Sequence, residues 1–199
     1  MDLRLGFVEM LPIVVSVAER KVVIVGRGLA GQQRLEFVHG SGAQRIALFA
    51  IDQDGWACHA EAALYERYPD ADDFEGASII FIAGLPLDES RRLAKMATHA
   101  GALVNVEDVP ELCDFHVPAL VRRGDLLLTI STGGTAPGLA QKLKAHLKEQ
   151  FGPEWKGHIE RVAEARQQWR SQGVPKTEIS RLTAQLIDDE AWLQRRVEA

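Results

Sequence analysis

The sequence predicts an α/β protein, and three observations carry that prediction. An apolar run at 22–25, VVIV, leads directly into Gly26, Gly28 and Gly31, a GxGxxG turn that opens onto a helical stretch. Apolar runs at 45–51, 77–83 and 103–106 then recur with helical or polar intervals between them, the rhythm of parallel strands joined by crossover helices. After residue 109 the rhythm stops, and a hairpin pattern followed by amphipathic helical patterns takes over. Together these describe a Rossmann-like parallel sheet followed by a small α+β dimerisation region and a helical C-terminal domain, spanning 1–112, 113–151 and 152–199.

The chain of 199 residues is long enough for one well-packed domain with an appendage, or for two small domains sharing an interface. Its 46% hydrophobic and 26% charged residues suit a soluble globular protein. A net charge of -5 argues against a general binder of nucleic acid or membrane surfaces, so an anionic partner must meet a local basic patch. Cys58 and Cys113 are too few for a disulfide framework and lack metal-ligand spacing; two free thiols, no metal site and a cytoplasmic location are expected. The apolar N-terminal run is interrupted by Glu9 and has no small-residue cleavage site after it, so it reads as core rather than signal peptide. No transmembrane stretch is present.

Residues 11–17, LPIVVSV, read as an edge strand or an extended arm beside the sheet. The strand at 22–26 precedes a helix over 30–40, with Ala30, Arg34, Phe37 and Val38 at helical spacing and a stop at Gly40, Ser41 and Gly42. RIALFAI at 45–51 lacks clean alternation and is expected to be a strand buried on both faces. A short helix over 57–66 and a solvated acidic connection at 69–76 follow. ASIIFIA at 77–83 is a central strand, 88–100 a helix with Leu93, Met96 and Ala97 on its apolar face, and LVNV at 103–106 a further strand. Residues 115–132 read as two extended segments around an Arg-Arg-Gly-Asp turn, and 133–151 as a helix. That hairpin and helix have little core of their own, so they should pack against the same unit of a second chain. From 153 onward, apolar residues such as Trp155, Ile159, Trp169, Ile179 and Leu186 mark amphipathic helices broken at Gly173 and Pro175.

Ligands of such sheets bind beyond the carboxyl ends of the strands, where Gly26, Asp52, Gly84 and Asp108 all fall. An apolar strand, a glycine turn and a helix N-terminus can offer N–H groups to a pyrophosphate, although an ordinary tight strand-to-helix turn would use the same glycines. Asp52, 21 residues beyond Gly31, stands where an acidic side chain accepts hydrogen bonds from an adenosine ribose. It reads equally as a solvated loop acid. A carboxylate there disfavours the 2′-phosphate of NADP, so the cofactor expected is NAD.

The run NVEDVPELCDFHVPALVRRGDLLLTISTGGTAPGLAQKL at 105–143, with LPI at 11–13, VVIVGRG and the SGA at 41–43, resembles the precorrin-2 dehydrogenase / sirohydrochlorin ferrochelatase family, the N-terminal module of siroheme synthase, in its stand-alone form. The resemblance implies a homodimer that passes a hydride from precorrin-2 to NAD, giving sirohydrochlorin in siroheme biosynthesis; some members also insert ferrous iron. By position it implies a role in dehydrogenation, and in bifunctional members in chelation, for Asp108, and cofactor contacts at Leu29, Ala30, Ala50 and Ile51. Thr132 stands where some relatives carry a serine that can be phosphorylated.

The residues themselves make these roles intelligible. A carboxylate just past a strand end, such as Asp108, can accept a proton as a hydride leaves, and apolar neighbours would raise its pKa toward neutrality; a loop-capping Asp is the bland alternative. His116 is a second candidate, as base or iron contact, or else an interface residue in a strand beside Phe115 and Val117. A substrate rich in carboxylates calls for cations, which Arg122 and Arg123 at the hairpin turn and Lys142 and Lys144 on the next helix can supply, unless they are plain surface charges. Thr132, Gly133 and Gly134, in the STGGT turn, offer hydroxyls and flexible backbone at a helix start, suited to an N-cap or a substrate carboxylate. Two departures from the family stand out. Arg27 replaces a middle glycine, and Gly84, Leu85 and Pro86 replace a polar strand end. A dinucleotide-sensing module without chemistry is the competing class; it would need the glycines but not Asp108.

Overall fold

The computed structural model describes residues 10–51 and 62–193. It divides into two compact units, Leu11–Val117 and Pro118–Ala199, the latter counted with Met1–Met10. In the first unit β1 (Lys21–Arg27), β2 (Arg45–Ile51), β3 (Ala62–Tyr65), β4 (Ala77–Ala83) and β5 (Leu103–Val106) form one parallel sheet in the order β3-β2-β1-β4-β5. The runs of Val and Ile suit strands covered on both sides. Alternation along β1 sends Val22 and Ile24 to one face, where they pack with Leu35 and Val38 of α1 (Gly28–His39). Val23 and Val25 go to the other, against Leu93, Ala94 and Ala97 of α2 (Leu87–His99). All four β1 side chains are buried, each contributing roughly 1.5–3 kcal/mol of apolar transfer energy.

The helix expected over 57–66 is not found in its described part: Ala62–Tyr65 is β3, parallel to β2. A four-residue apolar stretch carries no decisive period, and cross-strand packing settles it, with Tyr65 stacked on Phe49 at 4.8 Å. β3 takes the place beside β2, so of the two readings of 11–17 the edge strand is not found and the arm remains: the segment has no regular structure, and Leu11, Ile13 and Val14 are exposed. The acidic connection is largely exposed, as expected, and is also anchored. Phe74 is fully buried, Asp73 receives two hydrogen bonds from the Arg67 guanidinium at 2.6 and 2.8 Å, and Lys21 Nζ donates to the carbonyls of Asp73 and Glu75. The Arg67 hydrogen bonds hold the Asp73 carboxyl below its ordinary pKa.

In the second unit β6 (Ala119–Arg123) and β7 (Leu126–Ile130) form the expected antiparallel hairpin, turning through Gly124 at φ 58°. The first extended segment begins at Ala119 rather than 115, because Phe115 and Val117 are used as packing against the sheet of the first unit. α3 (Pro137–Gln150) begins four residues later than expected. Gly133 and Gly134 have φ of 60° and 79°, outside the helical region, and Pro137 supplies a natural first helical residue. α4 (Trp155–Ser171) and α5 (Lys176–Asp189) are separated at Gly173 and Pro175, as the sequence indicates. Among the described residues no helix is long and apolar enough to cross a membrane.

The carboxyl end of β4 holds the tightest backbone approach. Gly84 has φ 72°, and a Cβ there would collide with the Arg27 carbonyl oxygen and lie 3.2 Å from Ala30 Cβ. A glycine at this position thus has a steric reason. Gly84→Ala is expected to lower unfolding free energy by at least about 2 kcal/mol in urea titration. Gly101→Ala, at φ 77° but with nothing within 4 Å of its Cβ, should cost about 1 kcal/mol. Equal losses would refute the close-approach account.

Candidate functional site

Gly26, at the end of β1, lies in register between Ala50 of β2 and Ala83 of β4, and all three are buried. Small residues thus meet where the sheet reverses its order, since β1 neighbours both β2 and the non-consecutive β4. Gly28, at φ 55°, opens α1 with nothing within 4 Å of its Cβ position. Arg27 is the N-cap residue; its side chain is exposed, makes no cap bond, and the first turn of α1 holds no acid. First-turn N–H groups without a side-chain acceptor beside an open glycine fit a pyrophosphate. Leu29 is exposed at this turn, Ala30 is half-buried against Gly84, and Gly31 and Ile51 are buried. Asp52 lies outside the described residues, as does Cys58.

At the far edge, β5 ends in a turn where the Val109 N–H approaches the Val106 carbonyl at 3.4 Å and the Glu107 N–H donates to Ile82 O at 2.9 Å. Asp108 occupies that turn at φ 57°, a left-handed conformation that Asp tolerates better than most side chains. It is exposed rather than enclosed by apolar groups, and its carboxylate has no hydrogen bond or ion pair with any described residue. The capping role falls to another acid. Asp114 Oδ2 accepts from the Val104 N–H at 2.9 Å, while its own N–H donates to Val104 O at 2.8 Å.

Asn105 and Cys113 complete this cover of the outer edge of β5; sequence reasoning named Cys113 only as a free thiol, which it is, and gave neither residue a place in the site. The buried Asn105 amide donates to Phe115 O at 2.9 Å, the Val106 N–H donates to Cys113 Sγ at 3.2 Å, and Sγ donates to Val106 O at 3.1 Å. Burial is the main cause that pushes the Cys113 thiol above its ordinary pKa, so it serves as a neutral donor. Their one sequence signal was their place in the motif-bearing run. His116 is exposed in the link ahead of β6, not in a strand, between two residues that pack inward.

The remaining residues singled out lie in the second unit. Arg122 is exposed and its side chain has no partner among the described residues. Arg123 donates to the carbonyls of Phe151 at 2.8 Å, Arg122 at 3.0 Å and Lys148 at 3.4 Å, so its guanidinium ties the hairpin to the end of α3. Lys142 is exposed and Lys144 half-buried. Thr132 Oγ1 accepts from the Ala136 N–H at 3.3 Å and its carbonyl accepts from Thr135, which builds the turn that presents Gly133 and Gly134. Among the described residues no group of three or more His, Cys, Asp or Glu side chains could hold a metal ion.

A parallel sheet with an uncapped glycine turn at its switch point defines a dinucleotide-binding α/β protein. The chain belongs to the family described as "Putative NAD(P)-binding", whose model matches residues 13–119. It is 30% identical over 174 residues to the siroheme synthase of Methylococcus capsulatus, covering 84% of this chain and 36% of that protein. To the siroheme synthase of Psychrobacter cryohalolentis it is 32% identical over 158 residues, covering 76% and 29%. The chain spans about a third of the length of these curated relatives. The solved structure of SirC, precorrin-2 dehydrogenase, shares the fold, with a TM-score of 0.73 over 93% of both chains at 21% identity.

Cys113 gives the site a pH signature. The folded state holds the thiol proton more tightly than the unfolded chain, so this contribution is intact below the unfolded thiol pKa of about 8.5 and is lost as pH rises beyond it. Cys113→Ala should cost about 1–3 kcal/mol at pH 7, by leaving the Val106 groups unmatched, and should flatten the alkaline loss of stability. Denaturant titrations across pH check both; an unchanged alkaline slope would contradict the assignment.

Proposed function

We propose that the chain is an NAD-dependent precorrin-2 dehydrogenase of siroheme biosynthesis, working in the cytoplasm. The observation that most favours this reading is the unpaired, left-handed Asp108 at one strand end, in the same sheet as an uncapped glycine turn at another. A dinucleotide-sensing module would use the turn and have no need of such a carboxylate. The siroheme synthase relatives favour the tetrapyrrole as substrate.

Precorrin-2 gives up a hydride and a proton, yielding sirohydrochlorin, NADH and a proton. Bound NAD supplies the hydride acceptor. Gly26, Gly28, Leu29, Ala30 and Gly31 would hold its pyrophosphate end, with Ala50, Ile51 and Asp52 toward the adenosine. Asp108 takes the proton from the substrate; an exposed carboxylate without an internal partner can do so and return it to water. Arg122, Arg123, Thr132, Gly133 and Gly134 receive substrate carboxylates, with Arg122 carrying the freer charge.

Two finer proposals belong to the same reading. The hairpin and α3 pair two copies of the chain: α3 exposes Leu139 and Leu143, which supports a homodimer. Asp108 and His116, both exposed in the first unit, serve ferrous iron as a second substrate for insertion into sirohydrochlorin.

Purified protein supplied with precorrin-2 and NAD should convert the porphyrinoid spectrum to that of sirohydrochlorin. Asp108→Asn keeps a residue suited to the left-handed turn and should slow turnover by at least about 100-fold, with NAD affinity changed less than about twofold. An unchanged rate would remove Asp108 from the chemistry. No conversion by protein that binds NAD would overturn the enzyme reading.

A further inference from the structure

Arg34, in the middle of α1, is a half-buried cation with no ion pair among the described residues. Its guanidinium carbon stands 5.0 Å from the Phe81 ring centroid and 5.9 Å from that of Phe37. Phe115 meets Phe81 edge-on at 5.5 Å, and Phe37 does so at 6.1 Å. Rings from α1, β4 and the link after β5 thus form one aromatic shelf beneath the guanidinium. Its N–H groups have no hydrogen bond and no ion pair with any described residue. Glu107 and Cys113 are within electrostatic reach, and burial lowers the Arg34 pKa.

A guanidinium partly withdrawn from water without a protein acceptor carries a cost, and stacking on Phe81 offsets only part of it, while the nitrogens stay open to solvent and so to a ligand. Methionine or leucine would fill the shelf without the cost. What those side chains lack is a planar fork of donors matched to a carboxylate or phosphate. The shelf is also fixed to β5, the strand that leads into the Asp108 turn: Phe81 is in register with Asn105, and the Asn105 amide holds the Phe115 carbonyl. The charges nearest Arg34 come from that same strand end and its edge cover.

We propose that Arg34 is an oxyanion anchor, taking in bidentate fashion a carboxylate of the tetrapyrrole or a phosphate of the dinucleotide handled beside the Asp108 turn. The assignment rests on the functional reading above, and it adds a charged contact on α1 to the residues already placed in the site.

Arg34→Met keeps apolar contact with Phe81 and removes the charge; Arg34→Lys keeps the charge and removes the fork. Each protein would be titrated with NAD by calorimetry, and by tryptophan fluorescence with uroporphyrin, a stable polycarboxylate tetrapyrrole, and with its fully methylated ester. Arg34→Met should weaken one anionic ligand by at least about tenfold, leave the ester unaffected and keep the wild-type circular dichroism spectrum, with Arg34→Lys intermediate. The ligand that weakens identifies the oxyanion. Wild-type affinity of Arg34→Met for both anions, or equal loss of the acid and its ester, would overturn the proposal. Binding of neither anion by the wild-type protein would overturn the functional reading and this proposal with it.

Discussion

Where β4 leaves the sheet, its backbone passes so close to the carbonyl of Arg27 that residue 84 has no room for a side chain. That contact joins the two strand ends between which the sheet reverses its strand order, and it fixes the entry of α1 against β4 through Ala30. The open face at Gly28 and the uncapped helix start follow from it, because the chain must leave β1 sharply at this crossing. A dinucleotide cradle of this kind is therefore a property of backbone packing more than of any side chain.

The opposite end of the site depends on a different device. β5 is an edge strand, and an uncovered edge presents unpaired backbone groups. Here the cover is made by side chains and one returning loop: Asp114 and Cys113 take the outward groups of Val104 and Val106, and Asn105 pins the loop from inside. This cover releases Asp108 from capping duty. A left-handed acid with no partner among the described residues is then available at the strand end, next to a strand that also borders the glycine turn.

Much of this was legible in the sequence, for reasons that differ by element. The strands at 45–51, 77–83 and 103–106 announce themselves as short, mainly apolar runs without clean alternation, and the hairpin by its Arg-Arg-Gly-Asp turn. β3 was not legible, because Ala62–Tyr65 is too short to show a period and is held by its neighbour Phe49. The start of α3 was misplaced because the left-handed backbone of Gly133 and Gly134 is a three-dimensional fact. Asp108 could be chosen from its motif, but its freedom from partners could not; Cys113 and Arg34 gain their roles from residues distant in sequence. Gly84 looked like a lost polar contact until the Arg27 carbonyl was seen beside it.

The central claim is that the switch point between β1 and β4 receives the dinucleotide. Hydrogen–deuterium exchange with and without NAD tests it most directly. Slower exchange on NAD addition should be concentrated in peptides covering 26–31 and 83–86, with α4 and α5 unchanged. Unaltered exchange at both of those strand ends, in protein shown to bind NAD, would contradict it.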